Sequence, residues 1–112
     1  RKNRFHGHNS VSKVRGHSVR SSVVSLFFAK TYRSDYRLAV VVSKKTAKSA
    51  VVRNRIRRRI YETVRKNSLL DGKKVDVVAV VHTDTVAKLP QNELTKLLSE
   101  SVHKLDKQLH KR

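Results

Sequence analysis

The chain has 112 residues, enough for one domain with a modest core, and 27 Lys/Arg against 8 Asp/Glu give it a net charge of +19. With no cysteine it has no disulfide framework, thiolate zinc site or cysteine nucleophile, and it suits a reducing compartment such as the cytoplasm. The sequence reads as carrying no membrane span and no signal peptide, and a charge this far from zero is a nucleic-acid footprint before any motif is considered.

The charge is uneven. Residues 1–61 hold 17 Lys/Arg and one acid, Asp35, whereas residues 62–112 hold 10 Lys/Arg and seven acids. The first half is therefore expected to carry the binding surface and the second half to complete the fold. Residues 1–9 are basic and without periodicity, and read as a flexible arm containing Arg4, Phe5, His6 and His8. Residues 9–15 predict a short helix capped by Asn9 or Ser10, with Val11 and Val14 inward and Gly16 as its stop.

Residues 19–29 read as extended structure with a break near Ser21 and Ser22. Val24, Leu26 and Phe28 share one face, and Val23, Ser25 and Phe27 the other. A turn at 31–35 leads into a β-branched run at 36–43, apolar enough for a central strand. Residues 47–67 predict the best helix, because Val52, Ile56, Ile60 and Val64 recur every four residues as one apolar stripe. Asp71-Gly72 marks a turn, 75–81 is a valine-rich buried strand, 82–91 a loop with the only proline, and 92–110 a last helix with Leu94, Leu97, Leu98, Val102, Leu105 and Leu109 as its core face. The order is helix, two or three strands, helix, strand, helix: an α/β, or α+β, sandwich with helices on a small sheet of three to four strands. Strands 36–43 and 75–81, joined through a helix, are expected to run parallel.

Five arginines fall within seven residues: Arg53, Arg55, Arg57, Arg58 and Arg59, interleaved with Asn54. Solvated helix faces usually mix charge signs for support three and four residues apart, and here only Glu62 does so. Guanidinium forks match phosphate oxygens bidentately, so this row is the first candidate RNA-binding element. Lys44, Lys45 and Lys48 lead into the helix start, where cations oppose the helix dipole and a bound anion would reverse the penalty. Lys44-Lys45-Thr46 resembles the tail of a nucleotide-phosphate loop but lacks its glycines. Phe27 is a candidate for stacking on a nucleobase. His6 with His8, and His82 with Asp84, have no further ligands at metal spacing, and no clustered acids suggest a hydrolytic site. On residues alone, an RNA-binding scaffold, a ribosomal or RNA-chaperone protein and a DNA-binding helix-turn-helix protein all stay open, the flanking valine strands weighing against the last.

The run at 38–59, LAVVVSKKTAKSAVVRNRIRRR, resembles the signature of the bacterial ribonuclease P protein subunit. In that family a strand ending in Ser-Lys-Lys leads through a short Gly-containing loop into Ala-Val-x-Arg-Asn-Arg-x-(Lys/Arg)-Arg. Here Ser43-Lys44-Lys45 and the run from Ala50 to Arg58 match it. Gly16-His17-Ser18-Val19 before a strand, the valine strand and the leucine-rich last helix are similar too, so the likeness covers about residues 3–110. It implies one RNA-binding domain over residues 1–112 and a left-handed crossover between the parallel strands. It also implies a non-catalytic protein cofactor of a magnesium-dependent endoribonuclease, in a complex with one protein per RNA and no membrane partner. The catalytic RNA would hold most of the Mg2+ and remove the 5′ leader of precursor tRNA. Lys44, Lys45, Lys48, Arg53, Asn54, Arg55, Arg57, Arg58, Arg59 and Arg4 are then expected on the RNA, and Val11, Arg15, Ser25 and Phe27 on the leader. The chain departs from the family where two first-helix Phe residues become Val11 and Arg15, and where the loop at 46–49 is one residue longer and lacks glycine.

Overall fold

The structure, a computed structural model, describes residues 17–31 and 35–109. They form strands β1 (His17–Val19), β2 (Val24–Lys30) and β3 (Arg37–Val42), helix α1 (Ala50–Lys66), strand β4 (Val75–Val81), a 3-10 turn (Asp84–Ala87) and helix α2 (Gln91–Leu109). The four strands make one sheet in the order β1-β2-β4-β3. β4 runs antiparallel to β2 and, as its sequence position after a helical crossover requires, parallel to β3. The expected helix at 9–15 and the basic arm lie outside the described residues.

Both helices pack on one face of the sheet. That face gathers Val24, Leu26 and Phe28 from β2, Leu38, Val40 and Val42 from β3, and Val75, Val77, Ala79 and Val81 from β4. Ile56, Ile60 and Val64 of α1 and Leu94, Leu98, Val102 and Leu105 of α2 close over them. The four-residue stripe in the sequence is thus the buried side of α1, and burial of each Ile contributes about 1.5–3 kcal/mol. β-branched valines suit β4 because they pack on a pleated surface with little further loss of rotamer freedom. His17 stacks on buried Phe28 at 5.4 Å between ring centres, fixing the short edge strand to the core.

The break expected near Ser21 and Ser22 is present: Ser21 turns the chain between β1 and β2, accepting from the Val24 amide while its hydroxyl donates to the Val24 carbonyl. Three expectations need correction. The run at 36–43, expected as a central strand, forms β3 at one end of the strand order. The helix expected at 47–67 begins at Ala50: Ser43 accepts the Thr46 and Ala47 amides in a turn, and Ser49, in extended conformation, caps the helix by accepting from the Val52 amide. The loop at 82–91 contains the 3-10 turn, started by Thr83, whose hydroxyl accepts from the Thr85 amide. The turn at Asp71-Gly72 is present, and Gly72 has φ +77, a conformation that a Cβ would strain although space is open around it.

The strand alternation sets a direct test. Phe28 is fully buried, whereas Phe27 is only partly so, on the opposite face. Phe28→Ala should cost about 3–5 kcal/mol in urea unfolding and Phe27→Ala markedly less; equal losses would contradict the face assignment.

Candidate nucleic-acid interface

The basic row lies along α1 from Arg53 to Arg59, and the structure divides it. Arg53 turns back to the helix entrance, where Nη1 donates to the carbonyls of Ala47 and Lys48, both at 2.9 Å. Arg59 reaches across to the 3-10 turn and donates to the carbonyls of Val86 and Leu89 at 2.6 and 2.5 Å. Arg57 donates to the Asn54 side-chain oxygen at 2.7 Å. Arg55 and Arg58 are exposed and form no hydrogen bond or ion pair with any described residue. These two present their whole guanidinium forks outward.

The division has an electrostatic reason. Like charges three or four residues apart on a helix repel by about 0.2–0.5 kcal/mol per pair. Arg53 with Arg57, and Arg55 with Arg58 and with Arg59, make three such pairs. The total, about 1 kcal/mol, is less than the contribution of one buried Ile in the stripe, so the helix persists without a partner. Carbonyl oxygens at Arg53 and Arg59 offset part of the repulsion locally. Lys44, Lys45 and Lys48 are exposed in the segment leading into α1, extending the same positive surface to the end of β3. No acid lies in the first turn of α1 to balance it.

The second face of the sheet differs in character. Ala39 and Val78 are buried there, with Phe27, Ala29 and Val80 packed beside them. Cross-strand register places Ala39, Val78, Phe27 and Ser18 in one row and Val41, Val80 and Ser25 in the next. The Arg20 guanidinium lies over the Phe27 ring, 5.6 Å from its centre, a cation–π contact. At one end Arg37 holds Asp76 with two hydrogen bonds of 2.9 and 2.8 Å, which raises the Arg37 pKa further above its usual value. At the other end the buried Ser25 hydroxyl meets His82 Nε2 at 2.7 Å. The result is an apolar strip with one half-buried aromatic, bordered by cations and a histidine.

The structure therefore brings Ser25 and Phe27 together on one face, and Lys44, Lys45, Lys48, Asn54, Arg55, Arg57 and Arg58 around the start and exposed side of α1. Arg4, Val11 and Arg15 lie outside the described residues. Arg20 and His82 are not among the residues expected from sequence. Alternation carried one residue past β1 puts Arg20 on the face of Phe27, but no local pattern reveals the cross-strand register that joins them. Ser25 and His82 are 57 residues apart, with no local signal linking them. Among the described residues no three His, Asp or Glu side chains gather as a metal site, and no described helix is long and apolar enough to cross a membrane.

Comparison with known proteins adds the following. The Ribonuclease P family model matches residues 1–106. The fold is similar to that of the RNase P protein of Staphylococcus aureus, with TM-score 0.76 and 20% identity over 90% of this chain and 93% of that one. It is likewise similar to the RNase P protein from Thermotoga maritima, with TM-score 0.76 and 21% identity over 89% and 96%. A second Staphylococcus aureus structure aligns at TM-score 0.62 and 26% identity over 92% and 87%. These likenesses establish the mixed α/β fold. No curated protein matches the chain by sequence.

The split among the arginines predicts opposite phenotypes for adjacent residues. Arg59→Ala leaves two carbonyls without their donor and should lower stability by about 1.5–3 kcal/mol. Arg58→Ala should stay within about 0.5 kcal/mol of the parent. Chemical unfolding of the two variants measures both; equal effects would contradict the clamp.

Proposed function

Because the chain belongs to the ribonuclease P family and has its role in that ribonuclease, we propose that it is the protein subunit of the ribonucleoprotein. On this reading α1 binds the catalytic RNA, and the second face of the sheet takes the 5′ leader of precursor tRNA. The observation that carries it is the pair Arg55 and Arg58, exposed and without a described partner on a helix whose other side is locked in the core. A rigid helix holds the two forks in fixed relative positions, as a phosphate backbone needs and a disordered basic tail does not provide.

The protein's contribution is electrostatic and positional. Arg55, Arg58 and the lysines at 44, 45 and 48 neutralise phosphates and release condensed counterions. That favours assembly with the RNA, one protein to one RNA, and lowers the free energy of a charged substrate beside it. Phe27, half-buried with Arg20 over its ring, offers a platform on which an unpaired base can stack. Magnesium is held mainly by the RNA, where the phosphodiester bond is cut. The described residues do not fit such an ion: they gather no three carboxylates or imidazoles, and the Asp76 carboxylate is already occupied by Arg37. No step is therefore assigned to a protein-bound metal. The setting proposed is the cytoplasm, in keeping with the cysteine-free sequence.

Two measurements test the reading. Arg55→Ala and Arg58→Ala should each weaken affinity for a bacterial ribonuclease P RNA. The slope of log affinity against log salt should flatten by about 0.7–0.9 for each phosphate no longer neutralised; unchanged slopes in both would remove α1 from the interface. Phe27→Ala in the reconstituted complex should weaken leader-bearing precursor tRNA by about 1–3 kcal/mol and leave mature tRNA little changed. Equal losses for the two RNAs would reduce Phe27 to a packing residue.

A further inference from the structure

We propose that His82 is a second leader-contacting residue, positioned by the buried hydroxyl of Ser25, and that it donates a hydrogen bond from Nδ1 to an acceptor oxygen of a single-stranded nucleotide. The inference rests on the reading of this sheet face as the leader site.

Ser25 is 3% exposed, the second residue of a strand that is otherwise largely apolar. A hydroxyl there adds nothing to packing that a small apolar residue would not, and burying it is unfavourable unless it is hydrogen-bonded. Its partner is the ring of His82, which is itself exposed. The tie therefore runs from the core outward, and what it fixes is the orientation of a ring at the surface. A serine hydroxyl always carries a proton, and Ser25 makes no other hydrogen bond among the described residues. With Ser25 as the donor to Nε2, the ring carries its own proton on Nδ1. An exposed N–H donor of set direction results.

Its location matches the rest of the face. His82 follows directly on β4, and its amide donates to the Val23 carbonyl at 2.8 Å, continuing the β2 ladder by one position. Alternation puts its side chain with Asp76, Val78 and Val80, on the face of Phe27. Val78, the cross-strand partner of Phe27, is four residues away, which is ~13 Å along an extended strand. Between the two lie Val80 and Ser25, so the strip offers an aromatic for a base at one point and a fixed donor for an oxygen further along. A single strand running along β4 would meet both with neighbouring nucleotides. The arrangement would direct leader binding to one register along the strip, a role that Phe27 alone does not fill.

The test uses the complex reconstituted with a bacterial ribonuclease P RNA and compares precursor tRNA carrying a single-stranded leader with mature tRNA. His82→Ala should weaken the leader-bearing RNA about 5- to 10-fold and mature tRNA less than about 2-fold. Ser25→Ala should cost about 3-fold alone and nothing further in the His82→Ala background, because it acts through the ring. His82→Gln, whose amide can accept from Ser25 and donate outward, should keep most of the preference. A leader with abasic nucleotides separates the two possible acceptors: the His82→Ala effect persists for a phosphate oxygen and vanishes for a base carbonyl. If His82→Ala changes neither RNA while Phe27→Ala still does, or if it weakens both RNAs equally, the assignment of His82 is overturned and the leader face stands. If the wild-type complex does not distinguish the two RNAs at all, the leader face falls and this inference with it.

Discussion

A row of guanidinium groups can be held in a fixed array only on a helix that something else holds in place. In α1 that something is the stripe of Ile56, Ile60 and Val64 against the sheet. The repulsion along the row is smaller than the burial energy of the stripe, so the helix exists before any partner arrives. Two of the five arginines deepen the anchoring. Arg53 pins the helix entrance and Arg59 pins the 3-10 turn. The remaining charge is left facing outward on a frame that does not need to reorganise, which limits the conformational entropy lost when an anion binds.

The sheet divides its labour in the same way. Along β2, Val24, Leu26 and Phe28 serve the core, and Ser25, Phe27 and Ala29 serve the other face. One-residue alternation thus gives a single strand both a structural and a surface role. Arg37 with Asp76 at one end of β4 and Ser25 with His82 at the other bracket an apolar middle. On that face Arg37 is paired with Asp76 and Ser25 with His82, while the His82 ring and the Arg20 guanidinium are exposed.

Much of this is legible from the residues. The four-residue stripe marks the buried side of α1, the valines at 75–81 mark β4 with its observed bounds, and the helical crossover implies the parallel pairing. These are local periodicities, and local periodicity survives folding. The start of α1 lies three residues later than the periodicity suggests, because a turn at Ser43 and a cap at Ser49 compete for the same amides that a longer helix would use. The division of the arginines is not legible at all. Arg59 finds its carbonyls 27 and 30 residues away, and Ser25 finds His82 at 57, distances over which only the tertiary fold decides partners. The family likeness names the row as a unit; the structure separates the residues that hold it from those that face outward.

The central claim is that a cationic protein frame assists an RNA catalyst without cutting RNA itself. It is tested most directly by following leader removal from precursor tRNA with a bacterial ribonuclease P RNA at limiting magnesium, with and without the protein. The account predicts a marked rate increase when the protein is added, and no cleavage by the protein alone at any magnesium concentration. A rate that the protein leaves unchanged, or cleavage by the RNA-free protein, would contradict it.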